Sequence, residues 1–122
     1  MRVLQLEILE FQRKEQLLIE RAVDVICVIN SDATIRSVNR AAQKAWGYAP
    51  RELMGKPLSV VLPESEVGRI KQTVLGQAAS VERINLQTQV RRRDGTLREV
   101  VWTGFWSARE SGFFSIIHDV TE

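Results

Sequence analysis

The chain has 122 residues, 44% of them hydrophobic and 26% charged, with 17 Lys and Arg against 15 Asp and Glu. That length suits one domain with a core large enough to need no staples. A net charge of +2 is too small to argue for nucleic acid; the single Cys27 excludes an internal disulfide and a multi-cysteine zinc site; and no apolar run approaches the ~20 residues that span a bilayer.

Residues 2–22 read as one helix, without Gly or Pro. Leu4, Ile8, Phe11, Leu18 and Ala22 form its apolar stripe, interrupted by Glu15. At 1.5 Å per residue it is about 30 Å long, too long to lie wholly on a small sheet. It either folds flat on its own domain or pairs with a second chain as a coiled-coil arm. The β-branched run Asp24-Val-Ile-Cys-Val-Ile-Asn30 predicts a strand buried on both faces, and Ala33–Val38 its hairpin partner across a polar turn. Asn39 is placed to cap a short helix over 39–47, closed by Gly47; a second turn over 50–54 closes at Gly55. Pro57 and Pro63 bracket a loop with one helical turn, and a helix over 64–76 opens on Glu64 and Glu66, where the macrodipole favours acids.

The last third is sheet. Residues 81–92 alternate Ile84, Leu86, Thr88 and Val90 against Asn85, Gln87 and Gln89. Asp94-Gly95 is a hairpin turn. The strand over 96–107 shows Val100, Trp102, Gly104 and Trp106 on one face and Val101, Thr103 and Phe105 on the other. After a turn at Ser111-Gly112, the strand over 113–120 sets Phe113, Ser115 and Ile117 against Phe114, Ile116 and His118. Two adjacent strands are therefore apolar on both faces. Short helices cover one face; Val101, Phe105, Phe114 and Ile116 on the other would be an unusually large bare patch unless the N-terminal helix, a partner subunit, or both shield them. The basic run Arg91-Arg92-Arg93 is expected to be a solvated hairpin end, with phosphate binding the lesser reading.

The order strand, strand, short helices, helix, three long strands carries five recognisable segments: Asp24–Asn30, Asn39…Gly47-Tyr48, Glu52-Leu-Met-Gly55, Arg93-Asp-Gly-Thr96 and Asp119-Val-Thr-Glu122. Together they resemble a PAS domain, the sensory and dimerisation module of bacterial signalling proteins, over about residues 20–122. The resemblance implies an α+β fold: a five-stranded antiparallel sheet in the order 2-1-5-4-3, with short helices on one face and a flanking N-terminal amphipathic helix. It also implies a small cavity between sheet and helices, and a closing Asp-x-Thr element, here Asp119 and Thr121, that relays to an output helix. The expected division is a flanking helix over 1–22, the PAS domain over 23–120 and the start of an output linker at 121–122. Residues 1–122 then form a cytoplasmic fragment of a larger regulator, a histidine kinase, a diguanylate cyclase or a transcription activator, and are expected to homodimerise through Leu4, Ile8, Phe11, Leu18, Val101, Phe105, Phe114 and Ile116.

With that cavity in place, the pocket-facing set is Ile26, Val28, Ala42, Trp46, Leu62, Val67, Ile70, Leu86, Val90, Trp102, Gly104, Ser115 and Ile117. Trp46, Leu86, Trp102, Gly104, Ser115 and Ile117 are the candidate ligand contacts, with any vacancy expected beside Gly104 and Ser115. Haem needs an axial ligand, usually His. Haem-binding relatives carry it on the helix that here reads 64–76, which contains none, and place an Arg where this chain has Leu86. The sole histidine, His118, falls on the opposite face. Photochemical flavin relatives use an Asn-Cys-Arg word, where this chain reads Gly55-Lys-Pro-Leu58, and Cys27 reads as a small core hydrophobe. Haem and cysteinyl-flavin photochemistry are therefore not expected. A non-covalent flavin or a small apolar ligand fits the set, as does a core simply filled by Trp46 and Trp102. No nucleophile, base and orienting acid can be assembled, so catalysis is not expected of this fragment.

Overall fold

The computed structural model describes residues 23–76 and 83–121. The expected helix over 1–22, with its stripe of Leu4, Ile8, Phe11 and Leu18, lies outside the described residues. Five strands form one antiparallel sheet: β1 (Val25–Asn30), β2 (Ile35–Val38), β3 (Ile84–Arg91), β4 (Leu97–Ser107) and β5 (Gly112–Asp119). Their order is β2-β1-β5-β4-β3, as the sequence reading expects. Between β2 and β3 the chain makes α1 (Ala41–Trp46), α2 (Pro50–Leu53), a 3-10 helix (Leu58–Val61) and α3 (Glu64–Gly76). These pack on one face of the sheet. The core between the layers holds Val25, Cys27, Ile29, Trp46, Leu53, Leu62, Ile70, Val90, Val100, Trp102, Phe113 and Ile117.

The phase of β1 corrects the sequence reading. Val25, Cys27 and Ile29 are buried against the helices, while Ile26 and Val28 turn to the outer face. A strand apolar on both faces carries no period to choose between them, and a one-residue slip exchanges the faces. The choice is made by pairing: Cys27 lies opposite Ser115 and Ile29 opposite Phe113, which puts the odd residues of both strands inside.

Asn39 also departs from its expected role. Arg40 stands at the start of α1 with no side-chain cap bond. The Asn39 amide is buried and works on β1: its Oδ1 accepts from the Ile26 N–H at 3.0 Å, and its Nδ2 donates to the Asp24 carbonyl at 3.0 Å. A buried amide with two partners of its own has more to satisfy than one helix turn. The C-terminal end of α1 follows expectation. Gly47 has φ +86° and its N–H reaches the carbonyls of Ala42 and Gln43.

Candidate functional site

Three regions bear on function, and the sheet positions all of them. The first is the interior wall. Trp46, Trp102, Gly104, Ser115 and Ile117 are buried on the inner side of the layers, and Leu86 is half-buried beside them. The Trp102 indole N–H donates to Ser115 Oγ at 2.8 Å, fully inside the protein. Ser115 also bonds the Cys27 thiol, but burial dominates there and pushes that thiol up to about 12, so it stays protonated and unreactive near neutrality. The vacancy expected beside Gly104 and Ser115 is occupied. A Cβ added at Gly104 would collide with the Phe114 carbonyl oxygen and lie 2.6 Å from the Phe113 ring. Phe113, fully buried, fills the space that the glycine leaves.

A cleft lies elsewhere. It has a volume of about 640 Å³ and opens at the end of the sheet, between α1 and the entry and exit of the chain. Ala41, Ala45, Val25, Val100 and Ile117 line it together with Trp46, and Asp24, Arg40, Lys44, His118 and Asp119 surround them. Of the six candidate ligand contacts, this cleft takes Trp46 and Ile117; Leu86, Trp102, Gly104 and Ser115 lie away from it. Among the described residues no group of three metal-ligating side chains gathers.

The second region is the exit of β5. Asp119 receives two bonds from Arg98, at 2.8 and 3.3 Å, and one from the Thr121 N–H at 2.8 Å. The Thr121 hydroxyl accepts from the Glu99 N–H at 2.7 Å, and the Val120 N–H reaches the Glu99 carbonyl. Burial pulls the Asp119 carboxyl upward, but the bonds from Arg98 and Thr121 outweigh it and hold the group below its usual range. One residue earlier, His118 Nδ1 lies 2.7 Å from Asp24 Oδ1. That bond requires the proton on Nδ1, since a carboxylate only accepts. By hydrogen bond and charge, Asp24 raises the His118 pKa above its ordinary value. Asp119 and Thr121 were legible in the sequence as a pair; Arg98, Glu99 and Asp24 were not, because cross-strand register brings them in.

The third region is the outer face. Phe105 is 39% and Ile116 48% exposed, and Val101 and Phe114 are half-buried. The Phe105 and Phe114 rings stack at 5.6 Å between centroids, and the Arg83 guanidinium lies 5.8 Å over Phe105. Phe105 and Ile116 are the exposed members of this face, and the N-terminal helix that the sequence reading offers as a cover lies outside the described residues.

A sheet in this order with helices on one face, and an exit strand closed by an Asp-x-Thr turn, defines the class. The family model described as PAS fold matches residues 14–120, and the chain belongs to that family. The crystal structure of the PAS domain of an HTR-like protein from Haloarcula marismortui superposes with a TM-score of 0.81 at 22% identity, covering 98% of this chain and 100% of that one. A domain of the sensory box sensor histidine kinase/response regulator from Geobacter sulfurreducens gives 0.77 at 22% identity, covering 91% and 96%. The oxygen sensor protein DosP of Escherichia coli (strain K12) is 28% identical over 82 residues, 64% of this chain and 10% of DosP. The chain thus spans about a tenth of the length of that curated relative.

Proposed function

We propose that this chain is the sensor and dimerisation module of a larger bacterial signal-transduction protein, such as a histidine kinase of a two-component system, a diguanylate cyclase or a transcription regulator. It acts in the cytoplasm as a homodimer, performs no catalysis itself, and relays its signal through the packing of the sheet's outer face to an output domain in the same polypeptide. The observation that carries this reading is the apolar outer face: Phe105, Phe114, Ile116 and Val101 form one surface on β4 and β5, and β5 leads into Asp119 and Thr121. Such a surface is unusual on a monomer and common at an interface. No helix among the described residues is long and apolar enough to cross a membrane.

The interior supports a module that works without haem or a covalent flavin, because α3 offers no histidine, Cys27 is locked in β1 and Phe113 fills the space beside Gly104. Sedimentation equilibrium of the wild type and of Ile116→Glu tests the dimer. Burying one large aliphatic side chain is worth about 1.5–3 kcal/mol, so the charge is expected to weaken self-association at least tenfold. A wild type that stays monomeric at high concentration, or an I116E variant that associates equally well, refutes this reading.

The end cleft favours a second reading, a sensor for a non-covalent flavin or a small apolar ligand. Its volume of about 640 Å³ falls in the range of small-molecule sites. Native mass spectrometry of freshly purified protein separates the two: an added mass, with flavin absorbance or without, supports the ligand sensor, and the bare chain mass supports the packing module.

A further inference from the structure

The two places where the chain meets the end of the sheet are joined by one contact. Val25 lies opposite Ile117 in the β1–β5 ladder. The same register, carried one residue outward, sets Asp24 opposite His118, and their side chains meet at 2.7 Å although 94 residues separate them. We propose that Asp24 and His118 form a proton-operated latch between the entry of the chain into the sheet and its exit.

Each side of the latch is anchored differently. The Asp24 backbone is fixed, since its carbonyl accepts from Asn39 Nδ2 and the same amide holds the Ile26 N–H. The His118 side belongs to the last turn of strand hydrogen bonds, within three residues of the Asp119–Arg98 pair and the Thr121–Glu99 bond. When His118 carries its second proton the contact is an ion pair and ties the exit to the corner formed by β1 and α1. When it is neutral, the Nδ1–H still donates to Asp24, but without the charge. The tie between the exit and Asp24 is then a neutral hydrogen bond, weaker than the ion pair, beside the bonds to Arg98 and Glu99.

The surroundings of His118 set the direction. Asp24 faces it from the approach to β1, and Asp119 follows it on its own strand. Across β4 its opposite residue is the uncharged Val101, with Glu99 two residues away on the same face. From α1, Arg40 and Lys44 line the cleft that His118 shares, and Arg98 is taken up by Asp119. The hydrogen bond and charge of Asp24, with a smaller contribution from Asp119, outweigh desolvation, and the imidazole is held above its ordinary value of about 6.5. A raised folded-state pKa means that the contribution of the latch is complete below the unfolded value. It is lost as pH rises through the folded one.

Two-dimensional NMR of the 122-residue chain, titrated from acid to alkaline pH in the wild type and in Asp24→Asn, tests the latch. The His118 ring is expected to titrate above 6.5 in the wild type and to fall back toward it in D24N. The Val120 and Thr121 amides are expected to shift with the same midpoint in the wild type and to lose that step in D24N. If His118 titrates identically in both proteins, or if its midpoint is raised while the exit amides stay still, there is no latch. Because Val101 of the proposed dimer face lies opposite His118, the titration is repeated at several protein concentrations, so that it fails or succeeds separately from the dimer reading.

Discussion

Trp102 and Ser115 show what a single buried pair does for this core. An indole inside a protein must place its one N–H, and here it donates to Ser115 Oγ at 2.8 Å with neither residue more than 1% exposed. Removing the hydroxyl leaves that N–H without a partner, and an orphaned buried donor costs about 1–3 kcal/mol. Ser115→Ala is therefore expected to lose about that much in guanidinium chloride denaturation. Trp102→Phe combined with Ser115→Ala should lose less than the sum of the two singles, because the second change removes the group that the first one orphaned. A loss for S115A inside the ~0.5 kcal/mol of an ordinary surface change, or strict additivity, would show that the bond contributes nothing.

At the scale of elements, two glycines after the short helices carry the local design. Gly47 closes α1 as expected, whereas α2 ends on Met54 in extended backbone and Gly55, one residue on, donates its N–H to the Ile35 carbonyl of β2 at 2.7 Å. Gly47 and Gly55 both sit at positive φ, +86° and +81°, where an L-residue pays roughly 1–2 kcal/mol. Their surroundings differ. A Cβ at Gly47 would lie 3.2 Å from the Arg93 Cβ, whereas one at Gly55 meets nothing within 4 Å. Arg93 is itself held, by a 2.6 Å bond to Glu52 and by its position over the Tyr48 ring, so it yields poorly. Gly47→Ala is expected to lower the thermal midpoint more than Gly55→Ala, and equal losses would mean that the contact between α1 and the β3–β4 hairpin is loose. These glycines, like Asp94-Gly95, were readable because a turn's chemistry is local. The phase of β1 was not: Val25 to Ile29 is apolar at every position, so the inward set depends on β5, nearly ninety residues away. Asn39 misled for the same reason, since its partners are the backbone of a preceding strand, not the helix that it introduces. For the candidate site, residue types were legible but occupancy was not. Gly104 and Ser115 are small, and nothing local says that the Phe113 ring turns into the space above them.

For the whole molecule, the interior that could hold a ligand is packed with the chain's own aromatic rings, while apolar surface is left on the outside. If the module works as proposed, signals reach the sheet from its outer face or its ends. Phe113 is the residue on which this distribution rests: it is fully buried, it pairs with Ile29 and with Trp106 across the two neighbouring strands, and its ring closes over Gly104. Shortening it should open an apolar void, at about 3–5 kcal/mol for Phe113→Ala, with the gentler Phe113→Leu losing less. A dry apolar void takes up small apolar molecules, and a ligand that binds only the folded state raises its stability by mass action. Benzene or indole is thus expected to raise the thermal midpoint of the folded F113L or F113A protein and to leave the wild type where it is. A wild type that responds to the same probes as strongly as the variants would mean that the core already holds a vacancy, and that the inside of the sheet, not its outer face, is where this molecule receives its signal.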